Sequence, residues 1–377
     1  MNETIVKPGS TIGIIGGGQL GRMMALSAKQ MGYRIAVLEP GTDSPCAQVA
    51  DYVIEAGYDD LDGAAKLAEV SDVITYEFEN IDEATAKWLT EHGDFPQGFD
   101  VLRVSQHRLT EKRTIESLGV PVAPYAEISS LEDVQSALAE VGLPAVLKTC
   151  RGGYDGKGQA VVRNEQELEV AVRDLLPAGE LVLEGWISFQ CEVSVIVTRS
   201  RHGETSTFPV AENIHKHNIL HQSIVPARIS DHTSTKAREL ALKLAEGLEL
   251  IGTLAVEMFV QKDGTILVNE VAPRPHNSGH YTIEACKTSQ FEQQIRAICG
   301  LPLGSTEFLK PVVMENLLGE HIEPLMANLD CLGDISLHLY GKADAKEKRK
   351  MGHLTVLSET VKDALHQLNE FQQHTTK

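Results

Sequence analysis

Short apolar runs alternate with amphipathic stretches through the first hundred residues. A run at Thr11–Ile15 precedes a helical pattern over about residues 20–31 and a second run at 34–38, the βαβ opening of a parallel sheet. Further strands are expected at residues 52–54 and 73–76, with a helix at 62–68 between them. From Gln106 the pattern changes to a basic helix over residues 109–118, closed by Gly119, and a segment bounded by Pro121 and Pro124 that cannot continue it. A domain boundary is therefore placed near Ser105.

Apolar runs at 145–147, 160–162, 181–183 and 192–197, separated by one glycine-rich loop and one helix, describe a compact α+β module. Residues 253–271 carry the clearest hairpin signal, two apolar runs around Asp263-Gly264, a dipeptide suited to a tight turn. Beyond Leu301-Pro302 lies a smaller, weakly patterned region with a basic run over residues 342–350. The chain thus combines α/β and α+β parts.

With 377 residues, 42% hydrophobic and 23% charged, the chain can bury a large core and reads as two or three domains. Its formal charge of −19 repels a polyphosphate backbone, so no nucleic-acid partner is expected. Six scattered cysteines without a C-x-x-C pair fit buried thiols in a reducing compartment, which points to the cytoplasm. Neither a signal peptide nor a bilayer-length apolar stretch is evident, so no membrane role is expected.

Several groups carry candidate chemistry. Gly16-Gly17-Gly18-Gln19-Leu20-Gly21 lies between a strand and a helix, where bare N–H groups and the helix dipole favour an anion. With Glu39 ending the next strand, it fits a dinucleotide, another phosphorylated ligand, or tight packing alone. Lys148 ends a strand and is followed by Arg151-Gly152-Gly153-Tyr154-Asp155-Gly156-Lys157-Gly158-Gln159, a loop able to wrap phosphate oxygens; a buried ammonium there needs an anionic partner.

If Asp263-Gly264 are the two central turn residues, Lys262 faces Thr265 and Glu257 falls opposite Glu270, with Ala255, Phe259, Ile266 and Val268 on the same sides. Opposed carboxylates need compensation, and a magnesium ion held with ATP phosphates would supply it. Arg274-Pro275-His276-Asn277-Ser278-Gly279-His280 offers donors to an anion, with zinc binding and simple capping as the alternatives. His215, His217 and His221 read as a polar loop, and Lys342, Lys346, Lys348, Arg349 and Lys350 as either a solvated face or a phosphate pocket.

This ordered set resembles the ATP-grasp superfamily and, more closely, the N5-carboxyaminoimidazole ribonucleotide synthetases. The specific pieces are residues 16–23 and 153–159, Tyr76-Glu77-Phe78-Glu79-Asn80-Ile81, Asn269-Glu270-Val271-Ala272-Pro273-Arg274, the His276 to His280 motif, and Arg349-Lys350-Met351-Gly352-His353. The resemblance implies a Rossmann-like N-terminal domain at residues 1–105, an ATP-grasp region at 106–300 and a small C-terminal domain at 301–377. It also implies an ATP- and magnesium-dependent reaction joining bicarbonate to the amine of 5-aminoimidazole ribonucleotide through carboxyphosphate, and a homodimer.

By the same resemblance, Arg108, Lys148 and the loop Gly153, Tyr154, Asp155, Gly156, Lys157, Gly158 and Gln159 would hold ATP phosphates. Glu184, Gly185, Trp186 and Ile187 would line the adenine and Glu192 the ribose, with His215, Asn269 and Glu270 nearby. Glu257 and Glu270 would carry magnesium. Gln19, Leu20 and Glu77 would face the aminoimidazole ribonucleotide, and Lys342, Arg349 and Lys350 its phosphate. Tyr154, Asp155, Arg274, His276 and Asn277 would surround bicarbonate and the amine, with Lys350 among the catalytic groups.

Two positions depart from relatives: Ala272 stands where many ATP-grasp enzymes carry an Asn metal ligand, and Lys157 where some relatives carry Arg. The rival readings are another ATP-grasp carboxylate–amine ligase, an NAD-linked oxidoreductase and a non-catalytic nucleotide sensor.

Overall fold

The computed structural model describes residues 5–153 and 156–375. Its first sheet is parallel, with β1 (Thr11–Ile15), β2 (Arg34–Glu39), β3 (Tyr52–Glu55) and β4 (Val73–Tyr76) in the order β3-β2-β1-β4. Helices Gln19–Gln30 and Leu61–Val70 make the crossovers, as the alternating pattern anticipated. One face of the sheet packs Met24 and Ala28 together with Phe291, Ile295 and Ile298 from the distant helix Gln290–Ile298. That shared core fixes the first domain against the region that follows it.

The second sheet is antiparallel, with β5 (Tyr125–Ile128), β6 (Ala145–Thr149), β7 (Gln159–Val162) and β8 (Leu181–Gly185) in the order β5-β8-β6-β7. Helices Val134–Val141 and Glu165–Leu175 supply the apolar cover for it. The run at 192–197, expected in this module, belongs elsewhere: it is part of β9 (Cys191–Arg199). Six successive residues of β9 are buried, which requires cover on both faces and therefore an interior place in a larger sheet.

That larger sheet comprises β9, β10 (Thr205–Thr207), β11 (Ala211–Lys216), β12 (Ile219–Val225), β13 (Gly252–Val260), β14 (Ile266–Ala272), β15 (Val312–Leu318), β16 (Ser336–Leu339) and β17 (Lys350–Leu357). Its order is β14-β13-β9-β11-β12-β15-β17-β16, with β10 paired to β9. Because β12 pairs with β15, the C-terminal strands extend the same sheet and bring Lys350 to it. Helix Val361–Thr375 packs Leu368 and Phe371 against this end. Among the described residues no helix is long and apolar enough to cross a membrane.

The β13–β14 hairpin corrects the expected register in two places. Its loop holds three residues, Lys262 to Gly264, with Gly264 at φ +83° and the Gln261 amide donating to Thr265 at 2.8 Å. Val260 therefore faces Ile266, and Met258 faces Val268. A bulge at Asn269 then restores Glu257 opposite Glu270. Since one residue of slip reverses the faces, Ile266 and Val268 enter the core with Met258 and Val260, away from the Glu257 side where they were expected.

Candidate active site

The first glycine loop presents its N–H groups to carboxylates of its own chain. Gly17 donates to Glu39 at 2.6 Å, Gly18 donates to Glu77, and Gly21 donates to Glu77 at 2.8 Å. Glu77 thus fills the helix N-terminus that was expected to face an anionic ligand. A Cβ on Gly18 would collide with the Glu77 carboxylate, and one on Gly21 would lie 2.7 Å from the Gly16 carbonyl, so both positions require glycine for this approach. Burial pushes the Glu77 carboxyl up despite the two amides. Gln19 and Leu20 begin the helix beside it.

Around the second glycine loop, the helix Arg108–Ser117 sends three charged side chains inward. Arg108 donates to Glu270 at 3.0 Å, Glu111 accepts from the Val271 amide at 2.7 Å, and Lys112 lies 3.2 Å from Glu184. Burial and the charge of Glu270 push Glu111 up to about 8. The anionic partner that Lys148 required is Glu184, at 3.0 Å. Burial opposes the charge of Glu184, but Lys148 and Lys112 outweigh it and hold the carboxyl below the usual range. The Glu184 side chain is consequently sandwiched by lysines, while Gly185, half-exposed, ends β8 and Trp186 is exposed.

Gly153 lies against Arg108, whose guanidinium is 3.5 Å from the Gly153 carbonyl, and Gln159 pairs with Lys148 at the start of β7. Gly156 and Gly158 both have positive φ, +83° and +69°, and Gly156 sits against Asn218 at the tip of the β11–β12 hairpin. Lys157 is exposed. Tyr154 and Asp155 lie outside the described residues.

Glu257 and Glu270 form the centre. Burial and the opposing Glu270 raise the Glu257 carboxyl, whereas Arg108 and Lys148 overcome burial and lower that of Glu270. His276 Nε2 stands 3.1 Å from Glu257, and its Nδ1 accepts from the Ser278 amide at 3.3 Å, so the neutral ring carries its proton on Nε2 and donates it to Glu257. Burial, reinforced by Arg274, lowers the His276 pKa to about 3. Arg274 grips Glu79 with two hydrogen bonds, 2.5 and 2.9 Å, across the boundary between the first and second regions. Both amide atoms of the half-buried Asn277 are shielded from water and have no hydrogen-bond partner among the described residues. His215 pairs with Glu192, on the Glu257 side of the large sheet.

The basic run divides in two. Lys342 donates to the Lys350 carbonyl at 2.7 Å and is within charge range of Glu77, Arg349 and Lys350. Lys350 in turn is within charge range of His276 and His215. Lys346 and Lys348 stay exposed, paired with Asp344 and Glu347. The cleft therefore joins the first glycine loop, the carboxylate pair and the C-terminal basic cluster.

Comparison with known proteins matches the same three regions. A ribonucleotide synthetase preATP-grasp domain fits residues 9–106, an ATP-grasp domain fits 113–291, and a phosphoribosylaminoimidazole carboxylase C-terminal domain fits 312–367. Over 359 residues the chain is 56% identical to an N5-carboxyaminoimidazole ribonucleotide synthase of Bacillus subtilis (strain 168), covering 95% of this chain and 94% of that one. The chain belongs to this synthase family.

Members of the N5-carboxyaminoimidazole ribonucleotide synthase family are ATP-grasp ligases that carboxylate 5-aminoimidazole ribonucleotide in purine biosynthesis. Among solved members, an ADP complex superposes with a TM-score of 0.95 at 57% identity, covering 100% of both chains. A synthase of Aspergillus clavatus in complex with ADP and 5-aminoimidazole ribonucleotide superposes with a TM-score of 0.90 at 30% identity, covering 97% of this chain and 98% of that one.

Some residues of this candidate site carry no clear signal in the sequence. Glu79 was available as the second carboxylate of Tyr76-Glu77-Phe78-Glu79, and Lys112 follows Arg108 by one helical turn on the same face. Gln290, which accepts from the His276 amide at 2.8 Å and donates to its carbonyl at 2.7 Å, carried no local signal. His276 and His280 also separate: the first meets Glu257, the second is wholly buried in a ring stack.

Proposed function

We propose that this cleft binds ATP, magnesium, bicarbonate and 5-aminoimidazole ribonucleotide, and forms N5-carboxyaminoimidazole ribonucleotide with release of ADP and phosphate. The observation that carries the reading is the placement of Glu257, Glu270 and His276 between a nucleotide-side set, Arg108 and Lys148, and the basic pair Lys342 and Lys350. One end suits the triphosphate, the other a ribonucleotide phosphate, and the acceptor amine would meet the carboxyl group between them.

The metal fit rests on donor chemistry. Glu257 and Glu270 face each other, and beside them the buried Asn269 Oδ1 has no partner among the described residues, an oxygen set suited to a hard divalent cation. The ion would also use phosphates and water. Magnesium held by Glu257 and Glu270 would neutralise charge on the transferring phosphoryl group. Asn269 would lend the amide oxygen that position 272, an alanine here, does not have.

Bicarbonate is a poor electrophile, so attack of its oxygen on the γ-phosphorus of ATP first forms carboxyphosphate and releases ADP. The amine nitrogen then bonds to the carboxyl carbon, directly or after release of carbon dioxide; the carbon–oxygen bond to phosphate breaks and the amine loses a proton. Arg274, held rigid by Glu79, and neutral His276 with Asn277 would orient the carboxyl group. For Tyr154 and Asp155, outside the described residues, we keep a proposed role at the carboxyl group and the amine, with Asp155 the candidate proton acceptor. The carboxyphosphate route is tested with 18O-labelled bicarbonate: one labelled oxygen should appear in the released phosphate, and unlabelled phosphate would reject the route.

We infer domain boundaries near residues 105 and 300, a cytoplasmic setting that suits six unpaired thiols, and a homodimer whose mass light scattering would report.

A further inference from the structure

Two motifs end in histidines to which the reaction assigns no task. His280 closes the segment that begins at Arg274, and His353 closes Arg349-Lys350-Met351-Gly352-His353. Both are wholly buried, and their rings stack with centroids 4.7 Å apart. His353 also stacks on His338 at 4.5 Å, and its Nδ1 meets the Tyr340 hydroxyl at 2.9 Å. The Tyr340 ring lies under Lys342 Nζ, 5.7 Å from its centroid. On the other side, Gln290 lies 3.4 Å from His280 Nδ1 and brackets the His276 backbone with two hydrogen bonds.

A core without further purpose would fill this space with leucine. Here the Nε2 atoms of both His280 and His353 are buried with no partner among the described residues, an arrangement that costs stability. Burial depresses the basicity of both rings well below the usual range, so they pack as neutral planes. Planarity and thickness are what the stack uses. Three residues before His353 stands Lys350, and four before His280 stands His276.

We propose that the His280–His353 stack is the positioning element that sets Lys342 and Lys350 against His276 and so couples ribonucleotide phosphate binding to carboxyl transfer. The proposal rests on the assignment of Lys342 and Lys350 to that phosphate. A loosened stack lets β17 with its Lys350, and Lys342 bonded to the Lys350 carbonyl, shift relative to the carboxyphosphate end, so ATP is consumed without capture of the carboxyl group by the amine.

The test compares His353→Leu, His353→Phe with Tyr340→Phe, and Lys350→Ala in the full chain. Measured are the KM for ribonucleotide, the KM for ATP, and the ratio of ADP released to carboxylated product. His353→Leu should raise the ribonucleotide KM about tenfold and the ratio well above one, with the ATP KM within about twofold of the parent. The double variant keeps a stacked plane and removes the hydroxyl that would lose its acceptor, so it should recover most of the coupling. If His353→Leu does not fold, His280→Leu probes the stack from its other side with the same expectations.

An unchanged ribonucleotide KM and a ratio of one in a folded stack variant would overturn the proposal. Failure of the double variant to recover coupling would also overturn it, because an imidazole nitrogen would then be the working part. Lys350→Ala separates the two layers: no effect there rejects the phosphate assignment, whereas a raised KM there with a silent stack variant rejects the stack alone.

Discussion

Glu257 faces Glu270 because Asn269 is extruded between two stretches of different register in one hairpin. Without that bulge Glu270 would turn toward the core that holds Val268 and Val271. Glu270→Gln should lower turnover by at least about 10²-fold, since charge stabilisation in the phosphoryl-transfer step is lost. It also takes from Arg108 and Lys148 the charge they hold, which outweighs the relief given to Glu257, so thermal stability should fall. Magnesium-dependent ADP release and a melting curve check both; an active variant contradicts the metal assignment.

With Lys342 on the ribonucleotide phosphate, as proposed, that site would have a pH limit. Burial, followed by the neighbouring Arg349, lowers its pKa from 10.5 to about 8 in the free enzyme. Its charge is therefore present below about pH 8 and lost as pH rises through that value. The kcat/KM for ribonucleotide should fall above about pH 8, and Lys342→Arg should move the fall upward, because a guanidinium keeps its proton. An identical profile in the variant would assign the limit to another group.

Glu79 holds Arg274 through a paired hydrogen bond, and both are largely shielded from water. Glu79→Ala strands the guanidinium and should cost about 3–5 kcal/mol of stability along with most of the activity. Replacing both, Glu79→Ala with Arg274→Met, should return much of the stability and none of the activity. Denaturant unfolding alongside turnover separates the two effects.

Lys112, 1% exposed, shares Glu184 with Lys148. In Lys112→Met the carboxylate holds Lys148 alone, leaving that ammonium less available to phosphate. The ATP KM should rise several-fold while the ribonucleotide KM stays unchanged, which steady-state kinetics in each substrate will show.

The parallel sheet was legible because strand and helix periods alternate cleanly over β1 to β4, and a strand buried on one or both faces leaves that trace. Glu257 opposite Glu270 was also legible, although by two offsetting errors: a loop one residue longer than assumed and a bulge that removes the difference. A bulge leaves no composition signal, so the faces of Ile266 and Val268 were misread. The reach of β9 into the large sheet was hidden for a similar reason, since an all-buried run names no partner strand. In the site, motifs pointed to the residues proposed to meet ligands. What they did not expose were the groups that hold those residues, such as Glu79, Lys112 and Gln290, because these are selected by contacts between segments far apart in sequence.

The most direct test of the account is ADP release from ATP and magnesium, with bicarbonate present or scrubbed out and with or without 5-aminoimidazole ribonucleotide. Strong release that depends on both is the predicted result. ATP turnover indifferent to the ribonucleotide, or no ATP turnover under any of these conditions, would contradict it.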